Sequence, residues 1–156
     1  MRQTIMGLLG LTIAMLLSLN VHRASLTAKV YVIDNEMETI ASGIALEVLD
    51  YVGSKPFDAA TTNGTVDNAS ELTPLPFSTG MTYQEAGDID DFHQIQTYSL
   101  PAFDFDFDID ITVAYVDEND PERIAGSQTF AKRVTVTIND EYLASPVHLS
   151  QVYTYP

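Results

Sequence analysis

Residues 30–56 read VYVIDNEMETIASGIALEVLDYVGSKP. Val30, Ile33, Met37, Ile40, Ile44, Val48 and Tyr51 recur at spacings of 3, 4, 3, 4, 4 and 3, which is one stripe of an α-helix. Asp34, Glu36, Glu38 and Asp50 fall off the stripe, among small residues. Gly53 sits just past it and Pro56 three residues later, a helix stop signal. The stripe is expected to cover one face of a sheet made by the rest of the chain.

Working back from Val30, nothing forces a break. Ile5 to Leu19, IMGLLGLTIAMLLSL, carries no charge. It falls slightly short of the roughly 20 residues of a spanning helix, and Thr4, Asn20 and Val21 extend it at little cost. Ile5, Met6, Leu8, Leu9, Leu11, Ile13, Met15, Leu16, Leu17 and Leu19 make this part apolar all round. The pattern predicts one helix over residues 3–53, roughly 75 Å long at 1.5 Å per residue. Gly7, Gly10 and Gly43 are its weakest helix formers. Three environments fit the apolar half. A cleaved secretory signal calls for a more basic start than Arg2 alone and for an A-x-A-like site, which is missing. A membrane anchor fits the length. A filament core fits the continuation, in phase, into a core-facing half.

Charge divides the chain at the same place. Residues 1–33 hold no acid and three bases, Arg2, Arg23 and Lys29, a net of +3. Residues 34–156 hold all 22 acids against Lys55, Arg123, Lys132 and Arg133, a net of −18, which together give the −15 of the whole chain. So acidic a head repels nucleic acid and favours a well-solvated surface. There is no cysteine, hence no disulfide, thiolate metal site or cysteine nucleophile.

Residues 54–92 are rich in Thr, Asn, Ser, Gly and Pro and read as a surface-wrapping connection. Asn63 and Asn68 open glycosylation sequons within it. An antiparallel sheet of about four strands is expected over 93–156, at 93–100, 103–116, 127–138 and 146–155. The organisation is therefore a helix over 1–53, with 1–22 as its membrane or filament-core segment, a wrapping loop over 54–92 and the sheet. The fold class is α+β.

The second strand opens with FDFDFDID, residues 103–110. Pairing in which residue numbers sum to 243 sets Val113 on Phe130, Ile109 on Val134, Phe107 on Val136 and Phe105 on Ile138. Asp110 then meets Arg133, Asp108 meets Thr135 and Asp106 meets Thr137 on the other face. A one-residue slip would set aromatics against Arg and Thr, so parity is specified. The aspartates read as the wet face of the sheet. Calcium takes about six to eight oxygens, which one straight strand cannot aim at a point. Two loops suit such an ion better, through Asp88, Asp90 and Asp91, and through Asp117, Asn119 and Asp120. No other cofactor is expected.

No G-x-S-x-G, H-E-x-x-H, G-x-G-x-x-G or P-loop occurs, and no catalytic residue is assigned. His22 beside the apolar helix suits solvation or a subunit contact, His148 the outer face of a strand, and His93 the edge of the acidic loop.

The layout of an apolar helix continuing into an amphipathic half, then a loop, then an antiparallel sheet, resembles the type IV pilin and type II secretion pseudopilin superfamily. S-K-P-F-D at 54–58, D-I-D-D-F at 88–92 and G-S-Q-T-F at 126–130 are similar to segments of bacterial pilin-type proteins. The resemblance implies a subunit held in the inner membrane and then added by an assembly machinery to an extracellular homo-polymeric filament, helices inside and β domains outside. It implies adhesion rather than catalysis. In such a filament Arg123, Lys132 and Arg133 are the expected contacts between acidic neighbours. The family's early Glu, which pairs with a terminal amine, has no counterpart in residues 1–33, so an uncleaved or divergent member is expected. The alternatives are a minor pseudopilin of a secretion system, a membrane-anchored binding module that never polymerises, and a secreted hydrolase.

Overall fold

The computed structural model describes residues 2–62, 64–79, 81–98 and 107–156. Helix α1 runs from Arg2 to Gly53 without interruption. Four strands follow, β1 Ile95–Tyr98, β2 Phe107–Tyr115, β3 Ala131–Asn139 and β4 Val147–Thr154. They form one antiparallel sheet in the order β1-β2-β3-β4. The architecture is α+β, a long N-terminal helix with a four-stranded antiparallel sheet. The chain separates into two compact units, Met1–Met37 and Glu38–Pro156.

In the first unit, polar side chains in the apolar run bond back to the helix. Thr12 donates to the Leu9 carbonyl at 2.8 Å and Thr27 to that of Arg23 at 3.0 Å, so these two hydroxyls are satisfied within the helix.

In the second unit the helix buries Ala41, Ile44, Ala45, Val48, Leu49 and Val52, with Ile40 and Tyr51 half-buried. The expected stripe is thus right in phase but wider, because alanines at 41 and 45 allow close approach beside it. It is also shorter: Met37 is buried, but Val30 and Ile33 are more than half exposed. Helical periodicity reports that a face is apolar, not what covers it. The helix ends as Ser54 donates its backbone N–H to Asp50 and Tyr51 and its hydroxyl to the Tyr51 carbonyl.

The sheet keeps the expected parity. Phe107, Ile109, Ile111, Val113 and Tyr115 alternate inward on β2, and Lys132, Val134, Val136 and Ile138 on β3. The register differs by four residues along β3. Ile109 faces Ile138, Ile111 faces Val136 and Val113 faces Val134. Asp110 therefore meets Thr137, and Arg133 meets Ala114. The cause is the connection over 116–130. Asp117 donates to Arg123 and Ala125 donates to Tyr115, which closes a small inner hairpin with Val116 bridged to Ile124. Thr129 Oγ1 then lies 2.7 Å from the Val116 oxygen and 2.9 Å from that of Ala131, and Glu118 accepts from the Phe130 N–H at 3.0 Å. These bonds draw 125–130 out of the ladder, and pairing resumes at Ala131. Phe130 turns instead to Tyr155, 6.0 Å between rings. Asp108 and Asp110 lie on the outer face, as expected; Asp104, Asp106, Phe105 and the start of the predicted second strand lie outside the described residues.

Residues 54–92 do more than wrap the surface. Phe57, Val66, Leu72, Phe77, Tyr83, Ala86, Ile89 and Phe92 are buried. Tyr51 stacks on Tyr83 at 4.8 Å, and both meet Phe92 edge-on. Short 3-10 turns lie at Ala59–Thr62, Ala69–Glu71 and Asp90–Phe92, and the last of them buries Asp90 and Phe92. Gln94, at φ 59°, makes the left-handed step that swings the chain into β1. Asn68 precedes the second of these turns and donates its side-chain amide to Glu71 Oε1 at 3.1 Å; Asn63 lies outside the described residues.

Candidate functional site

Two features stand apart from ordinary packing, one in each unit. The first is the apolar helix surface. Every one of Ile5, Met6, Leu8, Leu9, Leu11, Ile13, Met15, Leu16, Leu17 and Leu19 is exposed, between 49% and 77%. The exposure goes on through Val21, Leu26, Val30, Tyr31, Val32 and Ile33. The helix is long and apolar enough to cross a membrane. A surface this apolar needs cover from lipid or protein.

The second is a buried charge centre in the head. Lys132 occupies an inward position of β3, opposite Tyr115 on one side and Tyr153 on the other, and is completely buried. Its ammonium lies 2.9 Å from Asp58 Oδ2 and 2.6 Å from Asp90 Oδ1, and donates to the Phe57 carbonyl oxygen at 2.7 Å. The rings of Phe57, Tyr115 and Phe77 surround Nζ at 4.3, 5.1 and 5.9 Å. Burying an ammonium without partners is prohibitive, and these contacts supply them.

The two carboxylates are held differently. Asp58 Oδ1 accepts from the Ala60 N–H and the Thr73 hydroxyl, and Oδ2 from the Thr73 N–H and the Lys132 ammonium. Burial pushes its carboxyl up, but Lys132 and these N–H donors outweigh burial and hold it well below the usual carboxylate range. Asp90 has no such support. Neither of its oxygens is placed for a hydrogen bond, although Oδ1 makes the short ion-pair contact. Burial pushes its carboxyl up to about 7, with Asp58 adding to the rise and Lys132 opposing it. Near neutral pH the centre therefore holds the Lys132 ammonium, the Asp58 carboxylate and an Asp90 carboxyl that is about half protonated. Tyr115 closes it, donating to the Thr73 carbonyl at 2.9 Å.

This reassigns two expected sites. Lys132 is no surface contact between subunits; its parity with Val134 and Val136 places it inside. Asp90 faces Lys132 and not a loop-bound ion. Asp88 and Asp91 are occupied by their own loop: Asp88 Oδ1 accepts from the N–H groups of Asp90 and Asp91, and Asp91 Oδ2 from Gly87 and Asp88. In the other loop Asp117 accepts from the Asn119 N–H and lies 4.0 Å from Arg123, while Asp120 is exposed. Among the described residues no three acidic or histidine side chains come together as metal ligands. Arg133, on β3, donates to the carbonyls of Pro121 and Glu122 in the β2–β3 connection, whereas the Arg123 side chain is 74% exposed. His93 Nδ1 accepts from the Val113 N–H at 3.1 Å, and His148 pairs with Thr137 on the outer face.

The sequence singles out S-K-P-F-D and D-I-D-D-F, gives Asp58 no partner and sets Asp90 with Asp88 and Asp91 as calcium candidates. The two motifs supply Asp58 and Asp90. A lysine at an inward position of an otherwise apolar strand was the available signal. No family model, curated protein or solved structure matches the chain. The long apolar helix with its antiparallel sheet is compatible in shape with a pilin-like fold.

Proposed function

We propose that this chain is the structural subunit of an extracellular pilin-like filament and acts by polymerising through α1. The observation that carries this reading is the length of the exposed apolar surface. It extends from Ile5 to Ile33, past Arg23 and Lys29. That is about 43 Å of helix at 1.5 Å per residue, longer than a hydrocarbon core of about 30 Å covers. A bundle of like helices covers all of it. In lipid the run Ile5–Leu19 is satisfied by hydrocarbon, and in a bundle by its copies, so assembly exchanges one apolar environment for another.

The acidic heads then face water and repel one another, which makes assembly salt-sensitive. Arg123, exposed beside Asp117, is the remaining candidate for a compensating contact between subunits. Electron microscopy of material sheared from the source cells, with mass spectrometry of its subunits, tests the reading. Filaments built from this chain with residues 5–19 intact are expected. A chain that stays monomeric in the membrane fraction would make it an anchored module instead.

A further inference from the structure

The Lys132 centre is arranged for a reaction as well as for an ion pair. A primary amine touches two carboxyl groups of opposite character in a site closed to water. Asp58 is ionised and fixed by backbone N–H groups from Ala60 and Thr73. Asp90 is 4% exposed, and its carboxyl is met only by the Lys132 nitrogen, 2.6 Å from Oδ1. An ionised carboxylate is a poor electrophile, and a neutral, unsolvated carboxylic acid a better one. Asp58 and Asp90 both touch the Lys132 nitrogen, at 2.9 and 2.6 Å, so a proton can pass between the two carboxyl groups by way of that nitrogen.

We propose that Lys132 Nζ and Asp90 Cγ condense into an intramolecular amide bond after folding, with Asp58 as the catalytic proton carrier. Asp58 takes a proton from the Lys132 ammonium. The freed amine attacks Cγ of protonated Asp90; a C–N bond forms and the carbonyl electrons move to oxygen. A second proton from the nitrogen reaches the Asp90 hydroxyl by way of Asp58. The C–O bond then breaks and water leaves. Ammonium, carboxylate and carboxylic acid become amide, water and a protonated Asp58, so atoms and charge balance and no co-reactant is needed. Two buried charges disappear, which favours the product in a dry site. The remaining amide N–H keeps the Phe57 carbonyl as acceptor. In a chain without cysteine, the bond would fasten β3 to the turn that leads into β1, a covalent staple across the head.

The test is the intact mass of the full chain, purified in detergent and denatured, followed by tandem mass spectrometry of a tryptic digest. The expected result is a mass below that of the sequence by one water, no cleavage after Lys132, and a branched peptide joining Lys132 to Asp90. Lys132→Arg should restore the full mass, and Asp58→Asn should slow or abolish the loss. Asp90→Asn should lose one ammonia in place of water, which identifies residue 90 as the electrophile. A wild-type mass equal to that of the sequence, in protein shown to be folded by circular dichroism, overturns the proposal. A branch point at Asp58 overturns the assignment of roles.

Discussion

Tyr153 donates its hydroxyl to the Leu49 carbonyl oxygen at 2.6 Å, and the same ring lies against Gly53. A Cβ at residue 53 would stand 2.7 Å from Tyr153 Cε1. The glycine therefore does more than end the helix: it admits the ring that ties α1 to β4. Gly53→Ala should cost about 1–3 kcal/mol through overpacking, and Tyr153→Phe about 0.5–1.5 kcal/mol through the lost bond. Urea unfolding of the two variants and of Tyr153→Ala with Gly53→Ala checks this. In the double variant the clash is gone, so the Gly53→Ala penalty should largely vanish.

Removing the ammonium at the head's centre should be far costlier than losing a surface charge. Lys132→Met leaves the Asp58 carboxylate buried without its cation. We expect a loss of about 3–5 kcal/mol, apart from anything a covalent link contributes. Lys132→Met combined with Asp58→Asn should recover part of it, because no unpaired charge remains. A double variant no more stable than the single one would contradict this account.

His93 should titrate below its ordinary value of 6.5. Burial lowers it, against the pull of Asp110, and the Val113 N–H needs an unprotonated Nδ1 as acceptor. A base lowered by folding adds stability that is complete above 6.5 and is lost as pH falls through its folded midpoint. Proton NMR of the imidazole should show that low midpoint. In His93→Ala, the part of acid lability that falls in this window should be gone.

A charge inside the apolar segment should block assembly without disturbing the head. Leu11→Arg adds about 2.5–3.5 kcal/mol to membrane insertion at the helix centre and sets like charges together in any helix bundle. Sheared surface material should lose the filaments, while the near-ultraviolet signal of the head stays unchanged. Normal filaments from this variant would refute polymerisation through α1.

Added calcium should leave the thermal midpoint where it is. Asp88 and Asp91 already accept from loop N–H groups, and Asp90 is claimed by Lys132. A concentration-dependent rise in a calcium titration would return the loops to consideration as ion sites.

By itself the sequence determined what is written in periodicity. Apolar spacing gave α1 and the phase of its buried face. Alternation gave strand parity, because a one-residue slip turns every side chain to the wrong side. What it could not supply were relations that depend on atoms far apart in the chain. The register of β2 on β3 was decided by hydrogen bonds among Val116, Thr129 and Ala131 that no alternation encodes. Val30 and Ile33 stayed uncovered because an apolar face does not name its partner. Lys132 met Asp58 and Asp90 only because folding brought three distant segments to one point, where the cost of a buried ammonium is offset by the carboxyls that surround it.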